Sequence, residues 1–69
     1  RYARVLDIGC GSGLCGRLLR PHADRIEGID LSAAMLEEAR KCGAYDSLVQ
    51  ADAHDHLAFA TEPYDVVIA

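Results

Sequence analysis

The chain has 69 residues, 51% of them apolar and 26% charged, with a formal net charge of −4. That length holds one small domain, which buries only about 60% of the surface its unfolded chain exposes. The acidic balance argues against a nucleic-acid footprint, because phosphate binding wants basic patches, and no apolar run approaches the ~20 residues of a membrane span.

Val5, Leu6 and Ile8 are apolar and partly β-branched, and they suit a short buried strand. Arg1 to Arg4 lead into it. Gly9, Gly11 and Gly13 alternate behind it. A helical pattern then begins with Leu14, Cys15, Leu18 and Leu19 and runs from about Gly13 to Arg20. Pro21 ends that helix and biases Arg20 away from helical geometry. Strand, glycine loop and helix together form the layout of a nucleotide-binding crossover. A residue without Cβ takes positive φ and lets a ligand touch the backbone. The start of the helix offers unpaired N–H groups to an anion.

Asp7 interrupts the apolar strand, where a carboxylate is costly unless something polar or cationic meets it. Either it faces the donors of a ligand, or it ties down backbone N–H groups of the loop. Cys10, Cys15 and Cys42 are odd in number and lack C-x-x-C spacing. They read as reduced thiols of a cytoplasmic protein. Cys10 and Cys15 read as small apolar fillers beside the loop rather than redox or metal groups.

His22-Ala23-Asp24 is expected as a loop, and Arg25 to Ile29 as a second strand closed by Asp30. Ser32 is a good helix N-cap. Leu31 and Leu36 flank it at the spacing of a hydrophobic staple. Met35, Leu36, Ala39 and Cys42 share one face, expected in the core, with Met35 in the first turn near any ligand held by Asp30. Gly43 is the expected C-terminal stop. Ser47 to Ala51 follows as a weak third strand. Asp52-Ala53-His54 is a loop, Asp55 to Ala60 a short helix, and Thr61-Glu62-Pro63 its break. Tyr64 to Ala69 is the fourth strand. Its run Val66-Val67-Ile68 marks a strand covered on both faces. A neighbour on its far side is therefore expected, as in a larger sheet.

This alternation predicts an α/β fold: a Rossmann-like, doubly wound parallel sheet with right-handed crossovers. The strand order is expected to be 3-2-1-4, with a ligand crevice where the winding reverses. Two patterns compete for the glycine loop. From Gly11, G-S-G-L-C-G fits the dinucleotide pattern G-x-G-x-x-G, with Asp30 about twenty residues on. From Asp7, D-I-G-C-G-S-G fits D-x-G-x-G-x-G.

The second pattern does not stand alone. With Gly28-Ile29-Asp30-Leu31-Ser32 and Met35-Leu36, with Gln50-Ala51-Asp52-Ala53, and with Tyr64-Asp65-Val66-Val67-Ile68-Ala69, the chain resembles the class I S-adenosylmethionine-dependent methyltransferases. The wording around Leu14-Cys15-Gly16 and Ala44-Tyr45-Asp46 is similar to members attached to tetratricopeptide repeats, although the sequence holds no repeat. The resemblance implies that residues 1–69 are the cofactor-binding portion of one methyltransferase domain, part of a seven-stranded sheet. It implies S-adenosylmethionine as the cofactor. Gly9, Gly11 and Gly13, with Cys10 among them, would cradle its methionine part. Asp7 would bind the ammonium, and Asp30 would accept both ribose hydroxyls. Leu31 and Met35 would pack on ribose and adenine. Asp52 would accept from the adenine amine, and the Ala53 N–H would meet the ring.

Plainer roles stay open: Asp30 as a helix-entry residue and Asp52 as a loop aspartate. Asp65 reads as structural, at the start of its strand and away from the ligand edge. His54 and His56 with Asp52 and Asp55 do not follow a ligand spacing, and no metal is expected. The resemblance places acceptor and catalytic residues from the end of the fourth strand onward, so neither is assigned. An NAD-dependent oxidoreductase is the alternative enzyme, but it leaves Asp7 and Asp52 without work. A non-catalytic binding or assembly domain is the alternative outside enzymes.

Overall fold

The computed structural model describes residues 1–11, 13–58 and 62–69. In chain order the elements are β1 (Tyr2–Ile8), α1 (Leu14–Leu19), a 3₁₀ turn (Arg20–His22), β2 (Ala23–Asp30), α2 (Ala33–Cys42), β3 (Ser47–Gln50), α3 (Ala53–Ala58) and β4 (Val66–Ile68). The strands form one sheet in the order β3-β2-β1-β4, and every pairing is parallel. Both the order and the direction expected from the alternation are borne out. Val5 pairs with Ile26 on one side and Val66 on the other, so β1 is central.

Side chains alternate along each strand, so the register sorts them onto two faces. Val5, Asp7, Ile26, Gly28, Leu48, Val66 and Ile68 share one face. Its core joins Val5, Ala23 and Ile26 to Leu19, Tyr45, Val66 and Ile68, and joins Cys10, Leu36 and Ala39 to Tyr45 and Leu48. Tyr45 belongs to both groups and links them.

Several local expectations shift. Strands β1 and β2 begin earlier than expected, because Tyr2 and Ala23 already pair. Arg20 is helical, with φ −50° and ψ −43°, despite preceding Pro21. The proline is accommodated early in the 3₁₀ turn, where its missing N–H costs no bond. Helix α1 buries Gly16 and packs Leu19 against the core, while Leu14 and Leu18 are exposed. Cys15 is exposed as well, whereas Cys10 is the buried filler expected. Helix α2 follows its sequence signals closely. The Ser32 hydroxyl accepts from the Met35 N–H at 3.3 Å, and Gly43 closes the helix at φ 73°. Leu36 and Ala39 are its buried residues, whereas Met35 is exposed. Leu31 is also exposed while Leu36 is buried, which does not match a closed staple. Helix α3 starts two residues before the expected Asp55, and the Phe59, Ala60 and Thr61 part of that expectation lies outside the described residues.

The opposite face carries a polar cluster that no sequence pattern announces. Glu27 is buried on β2 and accepts from Arg4 at 2.7 Å, Arg25 at 3.2 Å and the Tyr64 hydroxyl at 3.1 Å. The Arg4 guanidinium also lies 4.1 Å from the centre of the Tyr64 ring, a cation–π contact. Burial pushes the Glu27 carboxyl up, but the bonds from Arg4 and Tyr64 outweigh it and hold it below its ordinary value. A carboxyl lowered by folding stabilises above its unfolded value, and that contribution is lost as pH falls through the folded one. Glu27→Gln is therefore expected to cost on the order of 1.5–3 kcal/mol at pH 7, as for charged hydrogen bonds. The gap to wild type should narrow once the pH drops below about 4. Denaturant melts at both pH values test this, and a gap that is constant across them refutes it.

Asp65 anchors β4 as a structural residue. Its carboxylate accepts from the backbone N–H groups of Ala3 and Arg4, and its own N–H bonds the Arg4 carbonyl at 2.8 Å.

Candidate cofactor-binding site

A pocket of about 250 Å³ opens where β1, β2 and β3 end at their carboxyl edge. Its lining holds Ile8 and Gly9 after β1, Ile29 to Leu31 after β2, and Ala51 to Ala53 after β3. Open α/β sheets bind ligands at this edge. Five of the residues singled out in the sequence meet there: Gly9, Asp30, Leu31, Asp52 and Ala53. The other five, Asp7, Cys10, Gly11, Gly13 and Met35, do not line it.

The glycine loop turns through left-handed conformations at Gly9, Gly11 and Gly13, with φ of 69°, 52° and 88°. Residues with a Cβ pay for such angles, which explains the alternation. The loop amides are less free than a simple cradle suggests. Gly9 and Cys10 both donate to the Ile29 carbonyl, at 2.8 and 3.2 Å, and Gly13 donates to the Cys10 carbonyl at 2.9 Å. Gly11 donates to Asp30 Oδ2 at 3.4 Å. What the loop presents at Gly9 and Gly11 is therefore bare backbone and space. A Cβ built on Gly9 would meet nothing within 4 Å.

Asp30 is half-buried at the end of β2 and bridges two elements. Its Oδ2 takes the Gly11 amide and its Oδ1 takes the Ser32 amide at 2.9 Å. It thus fixes both the loop and the entry to α2. An ionised carboxylate has about four acceptor sites, so two remain for donors in the pocket. Asp52 has the same double character. Its Oδ1 accepts from the amides of His54 at 2.8 Å and Asp55 at 3.4 Å, capping α3. Its residue also lines the pocket. Leu31 and Met35 are both exposed, Leu31 in the pocket wall and Met35 in the first turn of α2.

Asp7 is only 3% exposed and lies on the face of the sheet that α1 and α2 cover, two residues before Gly9. Among the described residues it holds no loop amide, since those of Gly9, Cys10, Gly11 and Gly13 have other partners. It accepts instead from the Tyr45 hydroxyl. Burial raises its carboxyl above the ordinary value, and the Tyr45 bond opposes that rise. A carboxyl raised by folding costs stability once ionised, a loss that sets in as pH climbs from the ordinary value through the raised one. At neutral pH the fold therefore carries Asp7 as a cost. Cys10 packs its thiol against Leu36 and Ala39, away from the pocket. Burial, with the Asp7 and Asp30 carboxylates nearby, pushes that thiol up to about 11, so it stays protonated and unreactive.

Sequence reasoning missed Tyr45. The signal was faint: a tyrosine followed by aspartate between the Gly43 stop and a short strand. Among the described residues no group of three or more His, Cys, Asp or Glu side chains could hold a metal ion. His56 instead places Nε2 3.1 Å from the Tyr64 hydroxyl.

Known proteins are similar to this chain in sequence and in fold. Residues 5–69 match the family described as "Methyltransferase domain". The chain is 45% identical over 67 residues to a malonyl-[acyl-carrier protein] O-methyltransferase of Enterobacter lignolyticus, covering 97% of this chain and 26% of that protein. It is 37% identical over 65 residues to the 18S rRNA (guanine-N(7))-methyltransferase of Bos taurus, covering 94% and 23%. Among solved structures, the plantazolicin methyltransferase BamL, in complex with a triazolic desmethylPZN analog and SAH, superposes with a TM-score of 0.81 at 29% identity. That match covers 97% of this chain and 26% of the other. The magnesium protoporphyrin IX methyltransferase of Synechocystis with bound SAM superposes with a TM-score of 0.68 at 28% identity, covering 91% and 32%. The chain spans about a quarter of the length of these curated relatives. From the match over residues 5–69 and the shared sheet, the chain belongs to the methyltransferase domain family.

Proposed function

We propose that residues 1–69 are the cofactor-binding portion of an S-adenosylmethionine-dependent methyltransferase. The observation that carries this is the pocket at the carboxyl edge, with Gly9, Asp30 and Asp52 brought to it from three successive strand ends. Its chemistry fits the cofactor. Carboxylates with acceptor capacity to spare stand at the ends of β2 and β3, where hydroxyls and an amine could meet them. Bare glycine backbone allows close approach at the end of β1, and a buried carboxylate waits beneath it at Asp7.

In this reading Asp30 accepts the ribose hydroxyls, and Leu31 and Met35 pack on ribose and adenine. Asp52 accepts from the adenine amine and the Ala53 N–H meets the ring. Gly9, Gly11 and Gly13, with the Cys10 backbone, border the methionine part, and Asp7 takes its ammonium. The bound cofactor supplies a methyl group already electrophilic on a sulfonium. The chain's own contribution is orientation, since holding both reactants in line removes much of the entropic barrier.

The acceptor is not carried by this segment. The relatives' names specify a malonyl-[acyl-carrier protein] and a ribosomal guanine, yet the chain is similar to both over more than nine-tenths of its length. What such different acceptors have in common is the cofactor. We place the protein in the cytoplasm, supported by three free cysteines. Among the described residues no helix is long and apolar enough to cross a membrane.

Isothermal titration of the full-length protein with S-adenosylmethionine, S-adenosylhomocysteine and NADH tests the assignment. Binding of the first two and not the third is expected. NADH binding without the others would instead favour an oxidoreductase.

A further inference from the structure

Resting on that role of Asp7, we propose that Tyr45 is a positioning residue for the cofactor's amino-acid end: its hydroxyl aims the Asp7 carboxylate at the ammonium, and Gly16 and Gly28 make room for its ring. The phenol reaches Asp7 from the loop between α2 and β3, 38 positions along the chain. It passes between two glycines that no turn requires, since neither has positive φ. A Cβ on Gly16 would stand 2.5 Å from Tyr45 Cζ and 2.7 Å from its hydroxyl oxygen. A Cβ on Gly28 would stand 2.9 Å from two carbons of the same ring. Gly16 is thus cleared for the Tyr45 side chain, and Gly28 for Tyr45 together with Leu48, whose Cδ2 would stand 2.8 Å from the added Cβ.

The loop that carries Tyr45 is anchored on both sides. Arg20 donates to the Ala44 carbonyl at 3.2 Å and to Asp46 Oδ2 at 2.8 Å. Asp46 in turn accepts from the Ile26 N–H at 2.7 Å and donates its own N–H to the Ile26 carbonyl at 2.8 Å. The hydroxyl therefore has one place to go. Burial and the Asp7 carboxylate push the Tyr45 phenol far above its ordinary value, so it remains a donor. A donor on Oδ2 does two things for Asp7. It fixes the rotation of the carboxylate, and it favours the ionised form against burial, which is the form an ammonium needs.

A residue that merely fills the core would need the ring and not the hydroxyl. Tyr45→Phe separates the two in the full-length protein. The probes are S-adenosylhomocysteine and 5′-methylthioadenosine, which shares the adenosine thioether but lacks the amino-acid end. Losing one hydrogen bond to a charged group predicts about a tenfold weaker affinity for S-adenosylhomocysteine. Affinity for 5′-methylthioadenosine should not change. The acid limb of S-adenosylhomocysteine binding should also move to higher pH, because Asp7 loses the bond that keeps it ionised. The groups facing Asp7 are the Tyr45 phenol and the Cys10 thiol, both protonated at neutral pH, with Asp30 beyond Cys10; the substitution leaves Cys10 and Asp30 in place.

Gly16→Ala, which displaces the phenol without removing it, should give the same selective loss. Asp7→Asn is the reference variant. If it weakens S-adenosylhomocysteine selectively and Tyr45→Phe does not, Tyr45 has no positioning role. Equal weakening of both probes by Tyr45→Phe would mark a scaffold residue and also overturn the proposal. If Asp7→Asn changes neither probe, the ammonium contact falls, and the role of Tyr45 falls with it.

Discussion

Asp30→Ala is expected to weaken S-adenosylmethionine and S-adenosylhomocysteine alike, by roughly ten- to hundredfold. Charge-assisted hydrogen bonds are worth on the order of 1.5–3 kcal/mol, and each 1.4 kcal/mol is about a decade of affinity. The ribose is common to both ligands, so the sulfonium should make no difference. The structure adds a second consequence. Asp30 also takes the amides of Ser32 and Gly11, so alanine removes two internal bonds along with the proposed ribose contact. Helix α2 should still form, because Ser32 is its cap. Some stability should nevertheless be lost as the loop and the helix entry come apart. Asp30→Asn separates the effects, since an amide oxygen can still accept from Ser32 but one charged acceptor is gone. Paired titrations with thermal melts are the measurement. A folded Asp30→Ala protein that binds both ligands normally would remove the ribose contact and much of the methyltransferase assignment.

What the sequence disclosed was local. The run Val5-Leu6-Asp7-Ile8 with its alternating glycines, and Ile29-Asp30 ahead of Ser32, place strand ends, a tight loop and a capped helix within a few residues of one another. Those signals act through the chain's own neighbours, and the pocket-lining residues Gly9, Asp30, Leu31, Asp52 and Ala53 all sit on them. What stayed hidden depends on distant partners. The Asp7 carboxylate looked unaccompanied because Tyr45 is far along the chain. Glu27 gave no sign of its burial, because Arg4 and Tyr64 come from other strands or their approaches. Helix α1 meets the fold through Leu19 and also through Gly16 on the Tyr45 ring, a fit that residue spacing does not encode.

Gly13→Ala is expected to be the costliest of the loop substitutions for the fold, by about 2–5 kcal/mol. Two effects combine. Gly13 has φ 88°, and a residue with a Cβ pays roughly 1–2 kcal/mol in left-handed backbone. The new carbon would also stand 2.6 Å from Cys42 Sγ and 3.3 Å from Cys42 Cβ at the end of α2. Relieving overpacking typically costs about 1–3 kcal/mol. The backbone cannot easily shift, because the Gly13 N–H is held by Cys10 and its carbonyl accepts the Arg17 N–H at 3.0 Å. Gly11 provides the contrast. Its φ is 52°, but a Cβ there would come no nearer than 3.7 Å to the Gly9 carbonyl oxygen, an ordinary contact. Gly11→Ala should therefore incur only the backbone cost and, under the proposed cradle around the cofactor, lose proportionately more affinity. Denaturant unfolding of both variants gives the comparison. Adding Cys42→Ala to Gly13→Ala should recover part of the loss, a coupling that a double-mutant cycle reads directly. Equal stabilities for Gly11→Ala and Gly13→Ala, or no recovery in the double variant, would show that α2 does not press on the loop at Gly13.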